Sequence, residues 1–204
     1  MRLTAESLNV SRETFERLEI YVDLLAKWNQ RINLVAKSTL KEAWTRHIAD
    51  SLQVFRALDH PAADWMDLGS GGGFPGLVVA IAAGDTGNPM QVTMVESDQR
   101  KATFLRTVLR ETGTQGTVIA QRIEQVDPFG ANIVSARALA DLTTLMGFAD
   151  RHLAPGGHCL FQKGKNWKSE VQSARTVWQF SYDAIPSKTE SEAVVLKIEG
   201  LSRV

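Results

Sequence analysis

Asp67-Leu-Gly-Ser-Gly-Gly-Gly-Phe-Pro-Gly76 follows the apolar pair Trp65-Met66, which reads as a buried strand. It runs into Leu77-Val-Val-Ala-Ile-Ala-Ala83, which reads as a helix. A strand, a glycine-rich turn and a helix start make a nucleotide-type pocket, because backbone without Cβ atoms can pass close to a ligand. Five of the eight residues from Gly69 to Gly76 are glycine, too many for a plain turn. Asp67, two residues before the first glycine, points to S-adenosylmethionine more than to a phosphate ligand.

The alternation continues downstream. Residues 91–96 read as a strand after a loop from Gly84 to Pro89. Asp98 then caps a helix carrying Ala102, Leu105, Val108 and Leu109, which ends at Gly113. Residues 117–120, 132–135, 158–162 and 193–198 read as further strands, and helices are expected over 139–153 and 167–178, with Pro155-Gly-Gly as a turn. Upstream, residues 1–60 look helical and contain no glycine. Phe15, Leu18, Val22, Leu25 and Trp28 recur at helical spacing behind a Ser11 cap. Thr39 and Glu42 form a capping-box pattern that opens a second helix, stopped by His60-Pro61. Strands alternating with helices imply a mostly parallel sheet covered on both faces. The expectation is a doubly wound, Rossmann-like α/β domain over residues 61–204, seven-stranded, with a helical N-terminal extension over 1–60.

At 204 residues, 44% hydrophobic and 23% charged, the chain has the size and composition of a globular protein with a real core. No apolar run approaches the roughly 20 residues that span a bilayer, and the N-terminus lacks a signal-peptide pattern. The single Cys159 excludes an intramolecular disulfide and fits a reducing, cytoplasmic setting, with Cys159 read as core packing. No His/Cys/Asp cluster has metal-ligand spacing, so no metal is expected. Formal net charge is zero, and bulk charge therefore argues for no nucleic-acid partner. Locally, Lys27, Arg31, Lys37, Lys41 and Arg46 face only Glu42 between residues 27 and 47; the bland reading is a solvated helix face.

In open parallel sheets ligands bind beyond the carboxyl ends of the strands. Gly69, Gly71 and Gly73 would let the chain pass under the amino-acid part of a ligand, and N–H groups at the next helix start favour its carboxylate. Asp67 suits an ammonium group, directly or through water, and Glu96 is placed to accept hydrogen bonds from both ribose hydroxyls. Gly71-Gly-Gly-Phe-Pro-Gly76 also satisfies G-x-G-x-x-G, with Glu96 20 residues beyond, which keeps an NAD-binding oxidoreductase as an alternative. That register starts three residues past the strand end and leaves Asp67 without a role.

Four segments together resemble the bacterial RsmG (GidB) methyltransferases. They are Lys27-Trp28-Asn29 with Asn33-Leu34, Arg46-His47-Ile-Ala-Asp50-Ser51-Leu52, the glycine stretch, and Glu96-Ser97 with Lys101 and Phe104-Leu105. Ser135-Ala-Arg137-Ala138 and Lys163-Gly164 extend the match, which covers about residues 15–198. The resemblance implies a class I, S-adenosylmethionine-dependent enzyme that methylates N7 of a guanine in 16S ribosomal RNA of the small subunit. By the same likeness Gly69, Ser70 and Phe74 line the methionine end of the cofactor, and Glu96 with Ser97 the ribose. Ile123 and Glu124 would contact the adenine side, and Arg137 the pocket floor near the reacting end. Gly72 stands where the family more often has alanine or proline, and the tail after Lys165 matches less well. A non-catalytic assembly factor with a methyltransferase fold is a further alternative, since fold alone does not fix function.

Guanine N7 has an in-plane lone pair and no proton at neutral pH, so its methylation needs positioning rather than a general base. Asp50 is a candidate acceptor near the charged purine. Arg46, His47, Asp50 and Ser51 share a helix and read either as RNA contacts or a lid, or as a polar network fixing that helix to the sheet. Lys163, Arg100 and Lys101, with Lys27, Arg31 and Lys165, form a possible phosphate-binding rim that positions RNA without specifying sequence. The expected assembly is a monomer.

Overall fold

The computed structural model describes residues 3–58, 62–85, 87 and 90–204. The helical stop at His60-Pro61, Pro89 of the following loop and Met1-Arg2 lie outside the described residues. Helices α1 (Ala5–Leu8) and α2 (Arg12–Trp28) open the chain. The Ser11 hydroxyl accepts a hydrogen bond from Thr14 N–H, the N-cap read from sequence. Leu18, Tyr21 and Leu25 repeat at intervals of three and four residues and are fully buried. Each such side chain contributes about 2 kcal/mol by area.

The second helix does not run unbroken. The chain forms α3 (Lys37–Leu40), a turn, a π-helix over Trp44–Ala49 and α4 (Asp50–Phe55). Thr39 is not a cap, because its hydroxyl donates to Ala36 C=O and meets the His47 ring at 3.0 Å. A wider i→i+5 turn changes the facing of every side chain after it and is frequent at functional sites.

Seven strands follow: β1 (Asp64–Leu68), β2 (Gln91–Val95), β3 (Thr117–Ile119), β4 (Ala131–Arg137), β5 (Leu153–Lys163), β6 (Trp178–Pro186) and β7 (Val194–Arg203). They lie in the order β3-β2-β1-β4-β5-β7-β6. The first five are parallel, and β7 pairs antiparallel with both β5 and β6. Between them run α5 (Gly76–Ala83), α6 (Gln99–Thr112), α7 (Leu142–His152) and α8 (Trp167–Ala174). Three expectations are corrected. Helix α7 begins at Leu142, behind an Asp141 cap, rather than at Leu139; Pro155-Gly-Gly lies inside β5; and α8 stops at Ala174, so that Trp178 opens a strand instead of closing a helix.

Side chains alternate across the sheet, so Trp65 packs into the cluster shared with α2, α5 and α6 while Met66 packs into that shared with α7. The N-terminal helices and one face of the sheet therefore share a single apolar cluster. Register sets the site: Leu68 pairs with both Val95 and Ala136, so Gly69, Glu96 and Arg137 emerge at one sheet edge. Strand order reverses beside β1, which opens the crevice there.

Candidate active site

A cavity of about 470 Å³ opens at that edge, within the roughly 300–1,000 Å³ of small-molecule sites. Gly69, Ser70, Gly71, Phe74, Glu96, Ser97, Ile123, Glu124 and Arg137 line it, as the sequence reading placed them. Gly71 has φ +56°, and a Cβ there would meet nothing closer than Gly69 C=O at 3.7 Å, so its bare backbone faces free space. Glu96 is anchored at both carboxylate oxygens: Gly71 N–H donates to Oε2 at 2.8 Å and Asp98 N–H to Oε1 at 2.7 Å. Each oxygen keeps a second lone pair, which suits a vicinal diol. Ile123 and Glu124 stand on a short 3-10 turn, and Leu139 and Phe148 add apolar walls. These residues fit S-adenosylmethionine: an open glycine backbone, a two-oxygen acceptor and apolar walls.

Asp67 and Gly73 take other places. Asp67 is fully buried beneath the loop and does not line the cavity. Its Oδ1 accepts from the Ser135 hydroxyl at 2.7 Å and its Oδ2 from Gly76 N–H at 3.2 Å, while Trp65 Nε1–H donates to Ser135 at 2.8 Å. Burial pushes its carboxyl up to about 6, against those hydrogen bonds. Asp67 thus fastens the start of α5 to β1 and β4. From the other side the Tyr21 hydroxyl donates to Gly72 C=O at 2.5 Å, and its ring packs on Phe74 at 5.3 Å. Asn29 Oδ1 accepts from Leu34 and Val35 N–H, which holds Leu34 over Gly72. Leu34 lines the cavity too, and only the Asn33-Leu34 pair in the sequence hinted at it.

Arg137 ends β4 just before Ala138, whose φ of +51° turns the chain sharply. Its guanidinium lies 4.6 Å from the Phe74 ring centroid, 3.1 Å from His47 Nδ1 and 3.8 Å from Asp50 Oδ2, and donates to Arg46 C=O at 3.4 Å. Arginine only donates, so His47 Nδ1 is the acceptor and Nε2–H donates to Thr39 Oγ1. Burial, then Arg137 and Arg46, lower the His47 pKa to about 4. The ring is neutral in the native protein, whereas in the unfolded chain it titrates near 6.5. Lowering the pH through that window puts a proton on the unfolded chain first, so this contribution to stability is present above it and is lost as pH falls. Asp67, with its raised pKa, acts in the opposite sense. His47→Asn is therefore expected to lose less stability than the parent between pH 7 and 5 in urea unfolding. Equal losses would mean that His47 is not held neutral.

A family model described as GidB, rRNA small subunit methyltransferase G, matches residues 14–195. The chain belongs to that family. Its sequence is 59% identical to a ribosomal RNA small subunit methyltransferase G of Ruegeria pomeroyi over 98% of both chains. It is 50% identical to one of Cereibacter sphaeroides over 98% of this chain and 96% of the other. Among solved structures it resembles the ribosomal protein L11 methylase of Lactobacillus delbrueckii subsp. bulgaricus, at TM-score 0.59, 17% identity and coverage of 76% and 77%. It also resembles an O-methyltransferase of Bacillus cereus in complex with SAH, at 0.55, 11%, 93% and 91%. Those two likenesses show the fold. The chain is an S-adenosylmethionine-dependent methyltransferase, and the nicotinamide alternative is not favoured.

Beside the cofactor cavity the protein has a second one of about 510 Å³, which shares Leu34, Arg137 and Ala138 with the first. Arg46, His47, Asp50 and Lys163 line it. Arg46, His47 and Asp50 are thus a polar network and a cavity wall at once, while the buried Ser51 hydroxyl has no hydrogen-bond partner among the described residues. Lys163 is turned inward: its ammonium meets Glu170 at 2.6 Å and donates to Ala140 C=O at 2.9 Å, with the side chain 9% exposed. Lys101 lines the cofactor cavity, Lys165 is exposed on neither wall, and Arg100 pairs with Asp98 at 3.0 Å. Arg100 also flanks a separate cleft with Lys27, Trp28 and Arg31. The residues of the rim expected from sequence therefore do not share one surface cavity. Among the described residues no group of three His, Cys, Asp or Glu could hold a metal ion, and no helix is long and apolar enough to cross a membrane.

Proposed function

We propose that this protein methylates N7 of a guanine in 16S ribosomal RNA of the small subunit, acting as a monomer in the cytoplasm. When bound, S-adenosylmethionine supplies a methyl group on a positively charged sulfur. The observation that carries the reading is the Glu96 carboxylate on the cavity wall, anchored by two backbone donors and open to two more. Such an acid accepts both hydroxyls of an unphosphorylated ribose. The Phe74 ring, held by Tyr21, His47 and Arg137, lines the cofactor cavity.

The engaged state of His47 is consistent with N7 as the acceptor. His47 has Nδ1 engaged by Arg137 and Nε2 by Thr39, so neither ring nitrogen is available to take a proton. Guanine N7 carries none to give up, and orientation alone can supply several kcal/mol of the barrier. The sequences named as small-subunit RNA methyltransferases support the substrate class.

Glu96→Ala is expected to weaken binding of S-adenosylhomocysteine by about 1.5–3 kcal/mol, through lost charge-assisted hydrogen bonds and a released Gly71. Calorimetric titration measures it, and an unchanged dissociation constant would place the ribose elsewhere. The reaction itself is tested by incubating the protein with labelled cofactor and unmethylated small subunits and mapping the label. Label on any position but a guanine N7 overturns the chemistry, and no label above background leaves only a binding role.

A further inference from the structure

The second cavity lies apart from Glu96 and the glycine backbone, yet it shares its inner wall with the cofactor cavity. Three residues stand in both, Leu34, Arg137 and Ala138, and of these only Arg137 is charged. A molecule in the second cavity therefore reaches the first past the Arg137 guanidinium. Resting on the methyltransferase reading above, we infer that this cavity receives the acceptor base as a single guanine turned out of its RNA stack. Asp50 selects that base by accepting hydrogen bonds from the two N–H donors of its Watson–Crick edge.

Three carboxylates line the cavity, and two are neutralised at close range. Glu170 is paired with Lys163 at 2.6 Å and also accepts from Leu142 N–H at 2.8 Å; Glu190 is paired with Arg46 at 3.1 Å. Asp50 differs. Its cation, Arg137, stands off at 3.8 Å, beyond hydrogen-bond distance, and its other partners are neutral. The Ser187 and Thr189 hydroxyls meet Oδ1 at 3.3 and 3.2 Å, and Gln162 Nε2 donates to Oδ2. Both hydroxyl contacts are long, and a hydroxyl can rotate to another acceptor when a better donor arrives. Beside Asp50, the buried Gln162 Oε1 accepts no hydrogen bond among the described residues, so this wall holds an acceptor that no donor satisfies.

Guanine presents N1–H and the N2 amino group side by side, two donors facing two carboxylate oxygens. Adenine presents a bare N1 lone pair at the same place, which a carboxylate repels. The adjoining edge carries O6, next to N1, and then N7, so a guanine held by Asp50 directs its N7 to one side of Asp50. Arg137, in the common wall 3.8 Å from Asp50, stands on the side where O6 follows N1–H, and guanidinium donors match O6. Apolar Leu34, Val35 and Val194 supply surface for the faces of the base. Bases read in this way are taken out of the stack and held by their Watson–Crick edge.

The test uses the whole protein saturated with S-adenosylhomocysteine, which fills the first cavity, and titrates guanosine, inosine and adenosine 5′-monophosphates calorimetrically. The guanine nucleotide is expected to bind tighter than the adenine one by about tenfold or more, with the inosine one, lacking the N2 amino group, in between. Asp50→Asn, which replaces one acceptor by a donor, should narrow the guanine-to-adenine ratio to within about twofold and leave S-adenosylhomocysteine binding unchanged. Equal binding of the nucleotides, binding of none, or a full preference retained in Asp50→Asn overturns the inference. If Asp50→Asn does not fold, the inosine comparison on the parent protein decides, since a lost amino group must weaken binding. Failure of S-adenosylhomocysteine itself to bind strikes the methyltransferase reading first, and is seen separately in the saturation step.

Discussion

Arg137→Ala is expected to slow methyl transfer by about a hundredfold or more, because one guanidinium orders four groups at the junction of the two cavities. It donates to Arg46 C=O and His47 Nδ1, faces Asp50 and covers Phe74. Its loss leaves the His47 lone pair without a donor and the Asp50 carboxylate without its cation, in a wall where Asp50 is 16% exposed. The folded state should lose about 2 kcal/mol, less than a fully buried pair would, since Asp50 can take up a proton as its pKa is already raised by burial. Arg137→Lys keeps the charge but not the planar fork, and should recover stability more fully than rate. Single-turnover rates and thermal unfolding of both variants check this. An alanine variant with an undiminished rate would remove Arg137 from the machinery.

Gly73→Ala should be more damaging to the fold than any other single methyl group added to the loop. Gly73 has φ +94°, a conformation that costs a side chain, and its new Cβ would lie 2.3 Å from Leu77 Cδ1 and 2.8 Å from the Tyr21 hydroxyl. Leu77 and Tyr21 are both fully buried, so neither can swing aside. Strain and overlap together should destabilise the protein by about 3 kcal/mol, and loosening Tyr21 from Gly72 should weaken cofactor binding about tenfold or more. Gly71→Ala is the control. Its Cβ meets nothing closer than 3.7 Å, so it should harm cofactor binding with a smaller loss of stability. Urea unfolding beside S-adenosylhomocysteine titration separates the two. Equal damage from both would mean that the Gly73 contacts are not what restrains the loop.

Legibility of the chain followed how local each signal is. Glycines beside apolar runs, the Ser11 and Asp98 caps and the Gly113 stop are short-range devices, and each stands where it was read. Strand β6 is masked in the sequence although Trp178, Phe180, Tyr182 and Ala184 alternate with polar residues in the pattern of an edge strand, because the helical pattern before it extends to Trp178. Asp141, which accepts from Thr144 N–H, is a local cap signal for α7 that the apolar start at Leu139 obscures. Other features depend on partners far away in sequence. Local pattern does not reveal that Ser135 and Gly76 N–H occupy Asp67, that Glu170 takes Lys163, or that Arg137 reaches back 90 residues to a π-helix at His47. A carboxylate's role depends on which donors arrive first, and that is decided by the sheet.

The bond from Tyr21 to Gly72 C=O spans 51 residues and ties the longest N-terminal helix to the donor cradle. Any load on α2 is therefore felt at the cradle, with no hinge between them. A ligand that shifts this helix alters the grip on the small molecule, and the small molecule must alter the grip on that ligand by the same factor. Measured affinities for the two would then be interdependent, each meaningful only with the other's concentration stated.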